Sequence, residues 1–228
     1  MKIAESFKTI FDKAPCALKK DLCEIHEHNQ GASFTNLTLV NEGEEIFLLE
    51  NQFYKNSQGR IVNWSTKLDD LDSDGFLITE INGRKTIIVS ELKSKLDSED
   101  LLKAYKQIVY TYIKCYMLLS LCSWFQTADF DIVGIIACKP PKDEKQTIFL
   151  KDRYLQLMNS SPCDIEPDVR LMVKLFMEKH IKTSFGNIPF LKTMNLHNDL
   201  SCSSFRLYLL MPDSYDKSEM EINLGDLL

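Results

Sequence analysis

Two acidic residues and a lysine flank one short hairpin pattern in the chain. Asp74 precedes an apolar run, and Glu91 and Lys93 end the next apolar run. Asn82-Gly83 lies between the two runs and is typical of a tight β-hairpin turn, because both residues tolerate positive φ. A hairpin brings the start of its first strand beside the end of its second, so we expect Asp74 to lie next to Glu91.

The types of these side chains predict a metal-dependent reaction at a phosphate group. Successive strand residues point to opposite faces, so Glu91 and Lys93 are expected to share a face, with Leu92 on the other. Mg²⁺ prefers oxygen ligands and usually takes one or two carboxylates from the protein together with water and phosphate oxygens. It also stabilises charge on a phosphoryl oxygen, and a nearby lysine can orient the attacking water. We therefore predict Asp74 and Glu91 as metal ligands and Lys93 as the catalytic lysine, with Asp72 as the alternative ligand.

The arrangement of Asp74, Glu91-x-Lys93 and a following amphipathic helix resembles the PD-(D/E)XK nuclease superfamily. The resemblance covers roughly residues 20 to 140, and Ser73 stands where the motif name has proline. It implies an α/β fold with a restriction-endonuclease-like core, in which a mixed central sheet flanked by helices follows the order helix, three strands, helix, strand. It also implies hydrolysis of a phosphodiester with Mg²⁺ or Mn²⁺, and the main-chain carbonyl of Leu92 as a further metal ligand.

Hydrophobic spacing predicts the elements before the hairpin. Residues 3–28 are predicted as one or two helices that are interrupted near Pro15. Some members of the superfamily add a glutamate from the first helix, and Glu24 or Glu27 is the candidate for that role. Residues 46–49 are predicted as the first strand of the core, and residues 61–64 as a further strand or as part of a long loop.

The helix predicted from residue 98 to about 125 carries a polar stripe. Acidic residues in its first turn suit a helix N-terminus. We predict that the stripe contacts the phosphate backbone of a nucleic acid, whereas a solvated helix face is the alternative interpretation. The predicted substrate-binding residues are Lys95, in the preceding loop, and Lys103, Lys106 and Gln107; Tyr110 and Lys114 continue the stripe.

After residue 130 the pattern changes. The continuous apolar run at residues 131–138 predicts a strand that is buried on both faces. Beyond it we predict an edge strand at residues 147–150, a helix at 164–180 and a final strand at 204–210. We therefore expect a nuclease-like core at residues 1–140, which includes the N-terminal helices, and a C-terminal α+β extension at residues 141–228 that packs on the same domain.

Composition and charge limit the class of protein. The 228 residues are 44% hydrophobic and 26% charged, with a formal net charge of −6. Between Arg84 and Lys114 seven basic residues outnumber four acidic ones, so a local basic surface is predicted in an acidic chain. Seven cysteines without a C-x-x-C pair predict reduced thiols and a cytoplasmic location. Lys114 interrupts the longest apolar stretch, so no membrane span is expected, and phosphate-loop and serine-hydrolase motifs are absent from the sequence.

The expected function is that of a Mg²⁺-dependent nuclease, and DNA is favoured over RNA as the substrate. Relatives of this size often act in restriction or phage defence, which is an expectation by analogy. A single site cuts one strand, so cleavage of both strands would require a homodimer or another protein partner. One alternative is a catalytically inactive nuclease-like fold that serves as a binding or assembly subunit. Another is an unrelated α/β protein whose hairpin carries the motif by chance.

Overall fold

Eight strands form one mixed sheet in the described part of the chain, and helices flank it. The computed structural model describes residues 3–12, 14–27, 29–54, 71–96, 98–159, 167–192, 194 and 196–227. The predicted α/β class is therefore confirmed. The strand predicted at residues 61–64 lies outside the described residues.

The helices and strands alternate less regularly than a simple βαβ pattern. The helices are α1 (Ile3–Ile10), α2 (Ser98–Leu119), α3 (Glu144–Asn159), α4 (Pro167–Glu178) and α5 (Asn198–Cys202). The strands are β1 (Cys16–His26), β2 (Asn36–Leu49), β3 (Gly75–Ile81), β4 (Arg84–Lys93), β5 (Phe130–Cys138), β6 (His180–Ser184), β7 (Ser204–Leu210) and β8 (Glu219–Asn223).

The sheet has the strand order β1-β2-β3-β4-β5-β7-β6, and β8 pairs with β2. The β1/β2, β2/β3, β3/β4 and β6/β7 pairs are antiparallel. The β4/β5, β5/β7 and β2/β8 pairs are parallel. Helix α2 connects the parallel strands β4 and β5, as such a connection requires a crossover. Strands from beyond residue 141 thus lie in the same sheet as the hairpin.

The predicted hairpin forms with the predicted turn. Asn82 and Gly83 have φ values of 52° and 75°, the positive values that such a turn requires. At the other end of the hairpin Gly75 pairs with Ser90. A Cβ atom on Gly75 would lie 2.6 Å from the Ser90 hydroxyl oxygen and 2.7 Å from a side-chain carbon of Ile25, so a larger residue here would require these two side chains to move.

Alternate residues of β4 enter two different hydrophobic cores. Ile87 and Val89 belong to the larger core, which contains side chains of α1, α2 and α4. Ile88 and Leu92 point to the other face of the sheet and belong to the second core, which also contains side chains of β1 and β2 and the side chain of Leu224. Glu91 and Lys93 therefore share the face of the sheet that α2 covers, as the alternation predicts.

The N-terminal region differs from the prediction. Only α1 is helical, and Cys16–His26 form strand β1, so the described residues contain one strand more before α2 than the three strands of the core that the resemblance implies. Leu18 and Leu22, whose spacing suggested a helix, are 49% and 48% exposed on this edge strand. The informative pattern is the alternation of buried Cys23 and Ile25, and pairing with β2 decides the conformation.

The prediction of an edge strand at residues 147–150 is also wrong, because these residues lie within α3. The carboxylate of Asp143 accepts a hydrogen bond of 2.8 Å from the main-chain N–H of Gln146, and the Gln146 side chain accepts one from Lys142 N–H. These bonds resemble a capping box. Helix α2 ends earlier than predicted, at Leu119, whereas the helix around Pro167–Glu178 is confirmed. The predicted strand at residues 204–210 also forms, but it is not the final strand, because β8 (Glu219–Asn223) follows it.

Two further observations concern cysteines and membranes. The cysteines that the structure describes are free thiols, and Cys23, Cys115, Cys122 and Cys138 are buried. Within the described ranges, no helix is both long and apolar enough to cross a membrane.

Candidate active site

The end of the hairpin places Asp74 directly beside β4. Its main-chain N–H donates a hydrogen bond of 3.1 Å to the carbonyl of Ser90. Its carboxylate oxygen Oδ2 accepts a hydrogen bond of 2.8 Å from the main-chain N–H of Leu92. Because Asp74 precedes the Gly75–Ser90 pair, it stands opposite Glu91 in the antiparallel register. The structure therefore brings the two predicted carboxylates together.

The carboxylate of Glu91 is buried and incompletely paired. Its side chain is 2% exposed, and Oε1 accepts a hydrogen bond of 2.5 Å from the ammonium group of Lys93. The other oxygen, Oε2, is buried without a hydrogen-bond partner among the described residues. Burial, and next the negative charge of Asp74, raises the pKa of Glu91 well above its ordinary value, although Lys93 opposes the shift. A cation at Oε2 would relieve this unfavourable arrangement.

The ammonium group of Lys93 is oriented by two partners. Besides Glu91, it donates a hydrogen bond of 2.9 Å to the side-chain oxygen of Gln107 on α2. The amide nitrogen of Gln107 in turn donates to the main-chain carbonyl of Asp72, at 2.7 Å. Lys93 is 14% exposed, so its ammonium group has little freedom to move. Gln107, predicted to bind substrate, thus contacts the predicted catalytic lysine.

The main-chain direction of Leu92 suits a metal ligand. The carbonyl of Lys93 accepts a hydrogen bond from Lys139 N–H, at 3.4 Å, so the main-chain groups of Lys93 point towards β5. Neighbouring residues of a strand direct their main-chain groups to opposite sides. The carbonyl of Leu92 therefore points towards β3, the same side from which the Asp74 carboxylate binds Leu92 N–H.

Helix α2 also binds the residues that precede Asp74. The ammonium group of Lys114 forms an ion pair with Asp72, and both side chains are largely buried, at 5% and 13% exposure. The hydroxyl oxygen of Thr111 accepts a hydrogen bond of 2.9 Å from Ser73 N–H. Asp72, the alternative ligand predicted from the sequence, thus contacts Lys114. Sequence spacing placed Lys114 on the polar stripe but did not reveal this partner.

The remaining predicted substrate-binding lysines occupy different positions. Lys95 is 70% exposed and lies 3.4 Å from the carboxylate of Asp100. Lys103 is exposed and lies one helical turn before Gln107, on the same face of α2. Lys106 lies over the ring of Phe190, with 5.6 Å between its nitrogen and the ring centroid. Of these lysines, Lys103 is therefore the one that extends the face of Gln107 into solvent.

A groove of about 370 Å³ adjoins the site, and Asp74 forms part of its wall. Further acidic residues of this wall come from β1 and from the end of β2: Glu24 and Glu50. The charge of Glu27, just after β1, adds to the upward shift of the Glu91 pKa. Glu50 was not predicted as a site residue. Its position directly after the apolar run of β2 is the signal in the sequence, because that run pairs with the start of β3.

The available ligand atoms fit a hard divalent cation. They are the carbonyl of Leu92 and the carboxylates of Asp74 and Glu91, and Oε2 of Glu91 has no hydrogen-bond partner among the described residues. Among the residues that the structure describes, no group of three or more histidine, cysteine, aspartate or glutamate side chains is arranged to hold a metal. This set suits Mg²⁺, which retains several waters and needs few protein ligands.

Comparison with known proteins identifies no relative. No family model matches the chain, no curated protein matches it, and no solved structure matches it.

Proposed function

We propose that this protein is a Mg²⁺-dependent nuclease that hydrolyses phosphodiester bonds, with DNA as the favoured substrate. The observation that carries the proposal is the convergence of Asp74, Glu91 and Lys93 at one end of the hairpin, with a buried oxygen of Glu91 that has no protein partner among the described residues. This arrangement is unfavourable for folding alone. It is favourable for binding a cation next to a phosphate.

Each residue has a distinct role in the proposed reaction. Asp74, Glu91 and the carbonyl of Leu92 would hold Mg²⁺, which when bound supplies positive charge and Lewis acidity at the phosphate. The ammonium group of Lys93 would donate a hydrogen bond to the attacking water or to the phosphate oxygens. Gln107 holds that ammonium group in place through its side-chain oxygen. Mn²⁺, which has similar ligand preferences, would replace Mg²⁺.

The proposed function extends to the type of fold and to the surface that would bind the substrate. We infer that the segment from α1 to β5 is a restriction-endonuclease-like core with an added strand β1. Lys103 and Lys95 are exposed and flank the site, so they would contact the phosphate backbone. By analogy with nucleases of this size, the proposed cellular role is restriction or phage defence in the cytoplasm.

Cleavage assays test the proposal directly. Wild-type protein and Glu91→Gln would be incubated with supercoiled plasmid and with a single-stranded oligonucleotide, in the presence of Mg²⁺, Mn²⁺ or a chelator. Asp131→Asn is the matched control, since Asp131 is a carboxylate that pairs with Arg84 and Arg206 near the other end of β4. We expect metal-dependent cleavage by wild type and Asp131→Asn but none by Glu91→Gln. Equal cleavage by all three proteins would refute the assigned site.

A second candidate function is that of a non-catalytic binding or assembly subunit. It is favoured by two observations: among the described residues no group of three or more histidine, cysteine, aspartate or glutamate side chains is arranged to hold a metal, and Lys93 is paired with Glu91. Calorimetric titration with Mg²⁺ and Mn²⁺ distinguishes the two functions. A scaffold would show no stoichiometric binding that depends on Glu91, with or without nucleic acid, whereas the nuclease would bind the ion at least when a non-cleavable oligonucleotide is present.

A further inference from the structure

A buried ion pair lies next to the candidate site but outside its set of reacting groups. Lys114 of α2 is 5% exposed, and its ammonium group binds the carboxylate of Asp72. The same ammonium group donates a hydrogen bond of 3.3 Å to the carbonyl of Leu71. A buried ion pair contributes little net stability when both charges must be removed from water. Stability alone therefore does not explain why this ion pair is buried beside the site.

The next residue of the same segment is held by neutral groups. Ser73 is fully buried; its N–H donates to the hydroxyl of Thr111 at 2.9 Å, and its carbonyl accepts from the hydroxyl of Tyr54 at 2.9 Å. The carbonyl of Asp72 accepts from Gln107 at 2.7 Å. The three residues immediately before Asp74 are thus bound by side chains of α2 and by Tyr54.

These contacts bear on the carboxylate that follows. The segment at residues 71–73 enters β3 just before Gly75, so its path sets the direction from which Asp74 reaches β4. The carboxylate of Asp74 is then held against β4 by Leu92 N–H. A shift of the segment by even a fraction of an ångström would move that carboxylate relative to Glu91, and metal ligands tolerate little such displacement.

We propose that Lys114 and Thr111 are positioning residues, which hold Asp74 in the geometry needed for metal binding. The metal-binding part of this inference rests on the proposed function, whereas the positioning of Asp74 does not. Neither residue touches the reacting atoms; both act through Asp72 and Ser73. Helix α2 therefore positions two residues of the site: Gln107 orients Lys93, while Thr111 and Lys114 orient Asp74.

The first test compares Thr111→Val with Thr79→Val. Thr79 is also fully buried and loses two hydrogen bonds in the variant, but it lies in the middle of β3 near Glu45. The readout is amide hydrogen exchange of Leu92 by NMR, because that N–H reports its bond to the Asp74 carboxylate. We expect Thr111→Val to accelerate exchange at Leu92 by about tenfold more than Thr79→Val does, since only the former releases the segment before Asp74. Equal effects in both variants would overturn the proposal.

The second test removes the ion pair as a unit. Asp72→Asn/Lys114→Met eliminates both buried charges, so neither is left without a partner. Asp131→Asn/Arg206→Met is the matched control, because it removes an ion pair of 3.0 Å from strands β5 and β7. We expect the first double variant to weaken Mg²⁺ binding by roughly tenfold or more, as for other groups that orient ligands, with the control unchanged. Retained Mg²⁺ affinity in the folded first variant would overturn the proposal.

The two tests separate the inference from the proposed function. If wild-type protein neither binds Mg²⁺ nor cleaves nucleic acid, the nuclease assignment fails. Exchange at Leu92 then still decides whether Thr111 and Lys114 hold Asp74, and the double variant is measured by the same exchange experiment. If metal binds normally but exchange at Leu92 is equal in Thr111→Val and Thr79→Val, the positioning role alone is refuted.

Discussion

Charged side chains are paired at both ends of β4, but the pairs are partly exposed at one end and buried at the other. Near the hairpin turn, Arg84 and Arg206 both pair with Asp131, and the side chains are 28% to 62% exposed. At the other end, Glu91 and Lys93 form a pair that is 2% and 14% exposed. Both ends use the same kinds of side chain on the same sheet, so strand propensity and composition do not explain the difference.

The difference concerns the free energy of desolvation. Exposed ion pairs remain hydrated and typically contribute ~0–1 kcal/mol to stability. Removing a carboxylate from water is unfavourable by several kcal/mol, and its ion-pair partner recovers that loss incompletely. Moreover, one oxygen of Glu91 remains unpaired among the described residues. A carboxyl group whose pKa is raised by burial and by a neighbouring carboxylate is typical of a functional site, which is why the comparison supports the proposed nuclease.

The largest expected effect is on catalysis by Lys93→Met. Lys85→Met is the control, because Lys85 lies on the same strand and the same face, eight residues away and over the ring of Phe130. We expect the cleavage rate at saturating Mg²⁺ to fall by about 10²–10⁴-fold in Lys93→Met, the range for loss of an acid–base or charge-stabilising group. Lys85→Met should cleave at the wild-type rate, and single-turnover cleavage measures both. Full activity of Lys93→Met would show that the lysine has only a structural role.

The next effect is on stability, and it contrasts two ion pairs. Lys114→Met leaves the carboxylate of Asp72 buried without its ammonium partner, which should lower the free energy of unfolding by about 3–5 kcal/mol. Arg206→Met removes one partner of a half-exposed pair and should lower it by no more than ~1 kcal/mol. Urea unfolding followed by circular dichroism measures both changes. Adding Asp72→Asn to Lys114→Met should recover much of the loss, and equal losses for the two single variants would contradict the comparison.

A smaller effect concerns the pH dependence of stability in metal-free protein. Burial raises the pKa of Glu91 above its ordinary value near 4.5, so protonation favours the folded state. This favourable contribution is present at low pH and is lost as pH rises through the raised pKa. Glu91→Gln stays neutral at every pH.

We therefore expect Glu91→Gln to be more stable than wild type at alkaline pH, by on the order of 1 kcal/mol, and this advantage to shrink as pH falls. Urea titrations of both proteins at several pH values, with chelator present, measure it. Asp131→Asn is again the control and should show no such gain at alkaline pH. A constant stability difference between Glu91→Gln and wild type at all pH values would contradict the assigned pKa shift.

The smallest expected effect is on substrate affinity. Lys103→Ala removes one exposed charge on the α2 face that carries Gln107, and should weaken DNA binding several-fold and reduce the slope of log K against log salt by about 1. Lys85→Ala removes an exposed charge near the turn and should leave that slope unchanged. Fluorescence anisotropy with a labelled oligonucleotide over a range of salt concentrations measures both, and identical slopes for the two variants would remove Lys103 from the substrate surface.

The sequence alone determined the hairpin and the convergence of its charged residues. Asn82-Gly83 specifies the turn, and alternation along β4 then separates Glu91 and Lys93 from Leu92. With the turn fixed, the register places Asp74 opposite Glu91. These features depend on residues that are close in sequence, so local backbone preferences are sufficient to predict them.

The tertiary structure decided the features that depend on distant residues. Cys16–His26 have a spacing that also suits a helix, and pairing with β2 makes them a strand. The spacing of Lys114 predicts a position on a solvated stripe, whereas in the structure its ammonium group pairs with Asp72, 42 residues earlier. The burial of Glu91 also depends on distant residues, because several elements of the fold surround its side chain. The sequence therefore predicts which groups meet at the hairpin, and only the folded chain determines how far from water they meet and what holds them there.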